Sequence, residues 1–154
     1  DPGQAGRFPS GSAMSGLAPV PDAEHESVPI GSNDDVVRAR QLVRALAQQC
    51  KLSLVDQTKL VTAASELARN TLVYGGGGVM RVGLVHRDGR VGVTAVFEDS
   101  GPGIPDVDQA LTDGWTSGGG LGLGLSGARR LVDDFTLQTE VGGGTQVAVT
   151  KWAR

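Results

Sequence analysis

The stretch Thr116–Gly127, TSGGGLGLGLSG, places six glycines among twelve residues, and the fold is decided by what such a segment is built to hold. Read literally, Gly122, Gly124 and Gly127 spell the dinucleotide fingerprint G-x-G-x-x-G. That fingerprint works only in the tight turn between a buried strand and the helix after it. The residues leading in, LTDGWTSGGGL, contain no run of strand-forming apolar residues, and Glu140, the acid at the spacing expected for a ribose contact, falls in a segment that reads as a hairpin strand. A P-loop is excluded because no Gly-Lys-Ser/Thr is present. The chemistry beneath both motifs remains: glycines let backbone amides approach phosphate oxygens, and a helix starting just afterwards aims its free N–H groups at the same anion. A linker would carry more Ser, Asn and charge. The alternation from Gly120 to Leu125 instead buries leucines while freeing the backbone between them.

The chain has 154 residues, room for one domain with a single core. Hydrophobic residues make up 39% but aromatics only 4%, and there are 24 glycines, so the core is expected to be aliphatic. The formal net charge is −3 with no run of Lys or Arg, which speaks against a nucleic-acid or anionic-membrane surface. Cys50 is the lone cysteine, so no internal disulfide or cysteine metal pair can form, and a reducing cytoplasm is the expected location. No stretch approaches the roughly 20 apolar residues of a membrane span.

Residues 1–24 are rich in Pro, Gly, Ser and Ala without hydrophobic period and read as a disordered tail; Met14 after Gly11-Ser12-Ala13 has the layout of a vector remnant. The domain is expected over 25–154. His25–Ile30 reads as an edge strand, since Pro29 removes a backbone donor. Val36, Ala39, Val43, Leu46 and Cys50 step at helical spacing with Asn33 as the expected cap, and Leu60, Ala64, Leu67 and Thr71 form the stripe of a second helix over 54–73, capped by Ser53 and stopped by Gly75–Gly78. Two β-rich runs flank Asp88-Gly89, a hairpin dipeptide. A helix over about 123–133 and a second hairpin around Gly142–Gly144 complete an α+β two-layer sandwich, helices on one face of a mixed, mostly antiparallel sheet.

Two further constellations bear on chemistry. In SELARN, Glu66 and Asn70 lie one turn apart on one helix face, a spacing that suits a carboxylate acting on a nucleophile beside an amide oxygen holding a hard cation. A solvated helix face is the plainer account of such a pair. In FEDSGPGIPD, Asp99 ends a hydrophobic strand and meets Ser100, Gly101, Pro102 and Gly103, where a carboxylate backed by glycines can accept a hydrogen bond from the exocyclic amine of a flat ring. An acidic turn is the alternative there.

Together and in this order, ELARN, DSGPG, GGGLGLGL and the GGGT of Gly142–Thr145 resemble the asparagine box, two glycine boxes and terminal threonine box of the GHKL ATP-binding superfamily, over nearly everything from about residue 27. Within it, VTAASELARNTLVYGGGG and DGWTSGGGLGLGLSGARRLVDDF are most similar to small bacterial serine/threonine kinases of the anti-sigma-factor and RsbT type. The resemblance implies a Bergerat-type ATP site: Asp99 on adenine with Gly101 and Gly103 beside it, Asn70 on Mg²⁺, and Glu66 as general base. Gly120, Leu121, Gly122, Leu123 and Gly124 would lie at the phosphates, and Thr145 would support the adenine. It also implies phosphorylation of a STAS-domain partner, with a protein phosphatase or a sigma factor as further regulatory partners. One feature fits a fast kinase poorly: the lid IPDVDQALTDGWTS holds three aspartates and no Lys or Arg. The competing reading is an ATP-gated binding module with little or no transfer activity. A histidine kinase is disfavoured, because His25 and His86 fall on or near expected strands.

Overall fold

The computed structural model describes residues 25–111 and 121–154, the first three residues of the second segment by backbone alone. The expected tail, Gly120 and much of the lid lie outside the described residues. In order, the elements are β1 (His25–Ile30), α1 (Asn33–Gln49), α2 (Leu54–Val73), β2 (Gly78–Arg87), β3 (Arg90–Asp99), α3 (Val107–Ala110), α4 (Leu121–Leu131), β4 (Asp134–Glu140) and β5 (Gly144–Trp152).

The five strands lie in the order β1-β2-β3-β5-β4, with β1 at an edge as Pro29 requires. Every described pairing is antiparallel, where a mixed sheet was expected. The reason is topological. Strands β3 and β4 run the same way, but β5 folds back from β4 and occupies the place between them, so the two like-directed strands never touch. Asp88 and Gly89, at φ 53 and 78, form the two-residue turn between β2 and β3. Both angles are positive, as a type I′ hairpin demands.

Helix α1 is capped one residue earlier than expected. Ser32 Oγ accepts the Asp35 N–H at 3.2 Å while the Asp35 carboxylate accepts the Gly31 N–H at 2.9 Å, a reciprocal box that Asn33 cannot make from inside the first turn. Helix α2 has the expected bounds and cap, with the Asp56 N–H on Ser53 Oγ at 3.0 Å. Its end is closed by bonds from Gly75 N to Asn70 O (3.0 Å) and Gly77 N to Thr71 O (2.8 Å), made possible by positive φ at Gly76 and Gly77.

Period-two alternation sends Met80 and Val82, Ala95 and Phe97, Val147 and Val149 to one face of the sheet, where adjacent strands align them in rows. Against these rows pack Val36, Ala39 and Val43 of α1, Leu60, Ala64 and Leu67 of α2, and Leu125 and Ala128 of α4. Each fully buried large side chain, such as Phe97, Leu60 or Leu67, contributes about 1.5–3 kcal/mol. On the opposite face, Trp152 is clasped between Arg87 and Arg90, whose guanidinium carbons lie 4.7 and 5.4 Å from its rings. Beyond the start of α2, the nearly buried Lys151 ammonium lies 3.6 Å from Asp56 and 3.4 Å from Asp133, and Asp133 also accepts the Trp152 N–H at 2.8 Å. Among the described residues no helix is long and apolar enough to cross a membrane.

Candidate active site

The C-terminal half of α2, the ends of β3 and β5, the start of the lid and α4 enclose a small cavity. Leu67, Phe97, Ile104, Leu125 and Val147 form its apolar walls, and Asn70, Thr71, Tyr74, Asp99 and Thr145 are its polar points. Apolar walls with a few convergent polar groups are the general form of a small-molecule site. The cavity measures about 20 Å³, the room of a single water, so a purine enters only if the lining side chains move apart.

Asp99 is the last residue of β3, and its Oδ1 accepts the Gly101 N–H at 2.8 Å. Burial pushes its carboxyl above the ordinary value, against the opposing pull of the Gly101 and Thr145 backbone N–H groups. Two glycines make room for it. A Cβ on Gly75 would stand 2.6 Å from Asp99 Oδ2, and one on Gly101 would stand 2.8 Å from the Gly75 Cα. Gly75 was not among the expected site residues. Its only sequence signal is its place in the run GGGG after the helix, which reads there as a stop.

Gly103, at φ +79, turns the chain across the Glu140–Val141 backbone, and the Tyr74 hydroxyl donates to its carbonyl at 3.3 Å. This bond ties the end of α2 to the start of the lid. Thr145 lies beside Asp99 in the β3–β5 register and is nearly buried. Its hydroxyl is 2.9 Å from that of Thr139, a second residue not foreseen from sequence.

Asn70 reaches the cavity from α2, and its Nδ2 is buried without a hydrogen-bond partner. Leaving a buried amide unpaired costs about 1–3 kcal/mol, so the group is set for a ligand atom. Helix α4 presses on it: a Cβ on Gly124 would lie 2.8 Å from Asn70 Nδ2. Gly124 therefore matters for close approach of helix to amide, rather than for a positive φ. Helix α4 begins at Leu121, two residues earlier than expected, so the backbone of Leu121, Gly122 and Leu123 forms its first turn.

Glu66 is exposed, one turn back from Asn70, and does not line the cavity. The structure thus brings Asn70, Asp99 and Thr145 to one cavity, sets Gly101 against Asp99, Gly103 under the Tyr74 hydroxyl and Gly124 against Asn70, and leaves Glu66 on the solvent side of the helix that carries Asn70. Short helix α3 was not expected. Asp106 caps it, accepting the Gln109 N–H at 3.0 Å, and Arg129 of α4 reaches 3.4 Å to the Leu111 carbonyl at its end.

Residues 55–153 match the family described as histidine kinase-, DNA gyrase B-, and HSP90-like ATPase. The chain is 44% identical over 120 residues to serine/threonine-protein kinase RsbT of Bacillus subtilis, covering 78% of this chain and 90% of that protein. It is 29% identical over 122 residues to the anti-sigma F factor of Clostridium novyi, covering 73% and 82% of the two chains. The crystal structure of the RsbU and RsbW domains of Rv1364c from Mycobacterium tuberculosis superposes with a TM-score of 0.55 at 19% identity, over 90% of this chain and about a third (34%) of that one, a likeness of fold. The chain belongs to the histidine kinase-, DNA gyrase B- and HSP90-like ATPase family, and within it to the group of RsbT-type serine/threonine kinases and anti-sigma factors.

Proposed function

We propose that the protein transfers the γ-phosphoryl group of ATP to a serine or threonine hydroxyl of a STAS-domain partner and so sets a regulatory switch in a sigma-factor pathway. The observation that carries this reading is the pairing on α2 of a cavity-lining Asn70, whose amide nitrogen is buried without a partner, with a solvent-open Glu66 one turn away. Nucleotide would enter on the Asn70 side, and a protein hydroxyl would approach Glu66 from solvent. In that arrangement Asp99 accepts from the adenine amine and the apolar walls hold the ring. The first-turn amides of α4, at Leu121, Gly122, Leu123 and Gly124, together with Gly120, receive the phosphate oxygens, which the positive end of the helix favours.

Among the described residues no group of three His, Cys, Asp or Glu could hold a metal ion. The site is suited to Mg²⁺, which needs one or two protein oxygens when phosphates and water complete its shell. Asn70 would hold the ion: a half-turn of its amide would exchange the unpaired nitrogen for the oxygen and offer that oxygen as the protein ligand. When bound, the ion would neutralise charge on the phosphates. Glu66 accepts the proton of the attacking hydroxyl.

A second reading, an ATP-gated binder with little transfer activity, draws on the cations: among the described residues none that lines the cavity is Lys or Arg, and Arg129 is engaged at Leu111. Single-turnover transfer from labelled ATP, measured beside partner pull-down, separates the two. Glu66→Gln should leave ATP affinity nearly intact and slow transfer by about 10²–10⁴-fold, the usual worth of a positioned base. Asn70→Ala should weaken metal-dependent ATP binding and, with it, every output. Wild-type protein that binds ATP and partner but transfers no phosphate would establish the binder in place of the kinase.

A further inference from the structure

The hydroxyl of Thr139, on β4, lies behind the wall of the cavity and meets three groups. It accepts the Ile104 N–H at 2.8 Å, lies 3.1 Å from the Gly144 carbonyl oxygen, and lies 2.9 Å from the Thr145 hydroxyl. A hydroxyl has one proton to give and two lone pairs to receive. The Ile104 N–H can only donate, and the Gly144 carbonyl can only accept. Thr139 therefore gives its proton to Gly144, and its second lone pair receives the proton of Thr145. The reverse assignment would aim the Thr139 proton at Thr145 and leave two acceptor oxygens facing each other at 3.1 Å with no proton between them.

The consequence is felt inside the cavity. Thr145 lines it beside Asp99, and with its proton committed behind the wall it shows the cavity lone pairs alone. We infer that Thr139 is a positioning residue that fixes Thr145 as an acceptor, so that the pocket selects a purine bearing an exocyclic amine over one bearing a carbonyl at that place. The inference rests on the reading of the cavity as the site for the nucleotide base. It adds a residue that does not line the cavity itself. Through Ile104 the same hydroxyl also fixes the first residue of the lid.

The test compares equilibrium binding of ATP with that of inosine triphosphate, whose base carries a carbonyl in place of the amine. Calorimetry reads both without any phosphate transfer, so a failed kinase reading leaves it intact. Wild type should prefer ATP, and Thr139→Ser, which keeps the hydroxyl, should keep the ratio. Thr139→Val should lower the ratio about tenfold, the worth of one hydrogen bond, because Thr145 is then free to turn its proton toward the base. A general loosening of the site would weaken both nucleotides equally and leave the ratio unchanged. Thr145→Val supplies a second arm should Thr139→Val fail to fold: with the acceptor gone, the ratio should fall likewise. A wild-type ratio in either valine variant overturns the inference. Wild-type protein that binds neither nucleotide overturns the base-site reading beneath it, a result distinct from the first.

Discussion

Gly75→Ala is the most local perturbation of the cavity that the structure offers. The new methyl carbon would overlap Asp99 Cγ and stand 2.6 Å from both Cβ and Oδ2, whereas ordinary contact begins near 3.4 Å, so the whole Asp99 side chain must retreat by at least about 0.8 Å. Retreat is restricted, since Asp99 Oδ1 is held by the Gly101 N–H at 2.8 Å and Gly101 itself packs on Gly75. A hydrogen bond of about 2.9 Å stretched by that amount passes 3.6 Å and ceases to be one. The base amine then loses its partner at a cost of about 1–3 kcal/mol, a loss of about 5- to 150-fold in ADP affinity. The assay is calorimetric titration with ADP, with circular dichroism to confirm the fold. Gly76→Ala is the matched control. Nothing lies within 4 Å of its added carbon, but its φ is +76, so it should lose about 1 kcal/mol of stability and keep its affinity. Wild-type affinity in Gly75→Ala, or equal losses in the two variants, would refute the reasoning.

Asp99→Asn should weaken ADP binding by a similar factor. Because burial raises the Asp99 carboxyl above its ordinary value of 3.8, the folded protein binds this proton more tightly than the unfolded chain. Stability without nucleotide should therefore fall as pH rises from that value through the raised one and then level off, and urea midpoints against pH should lose this slope in the variant. Gly124→Val, whose Cβ meets the Asn70 amide, should lower Mg–ATP affinity at least about tenfold with the fold intact, read by calorimetry and circular dichroism. At Asp133, burial raises the carboxyl, but the Trp152 N–H bond and the charges of Lys151 and Arg154 outweigh it and hold it below the ordinary value. Its stabilisation is present above 3.8 and lost as pH falls through the lowered value. Asp133→Asn should cost about 1 kcal/mol near neutrality and flatten that acid limb in thermal melts.

The parts of the fold that could be read from sequence are those whose cause is local. The stripe of Leu60, Ala64, Leu67 and Thr71 with Ser53 before it gives α2 to the residue, and Asp88-Gly89 gives the hairpin. Pro29 places β1 at an edge. Harder features depend on partners distant along the chain. That α4 begins within its glycines, which disfavour helix, accords with packing against α2 through Gly124 and Leu125, and no local propensity reports that. The antiparallel sheet follows from β5 entering between β3 and β4, a choice invisible to the pattern of either strand. Four boxes in order single out Asn70, Asp99, Gly124 and Thr145, of which Asn70, Asp99 and Thr145 line one cavity and Gly124 packs on Asn70. Gly75 and Thr139 stayed hidden because each acts through another residue, one by leaving space for a carboxylate and the other by taking a proton from a hydroxyl. Only the registers and distances of the folded chain reveal such roles.

The clasp of Arg87 and Arg90 on Trp152 gives the protein an optical property. The indole is nearly buried on the face of the sheet opposite the helices, and its Nε1–H is bonded to Asp134 at 2.8 Å. Trp152 does not line the cavity, so nucleotide entering there should leave its emission unchanged. The other tryptophan, Trp115, falls in sequence between the lid's start at Ile104 and the first turn of α4. Trp152→Phe would subtract the constant component and leave a single indole in the segment that joins the two sides of the cavity, an intrinsic reporter for stopped-flow measurement of nucleotide entry without any attached dye.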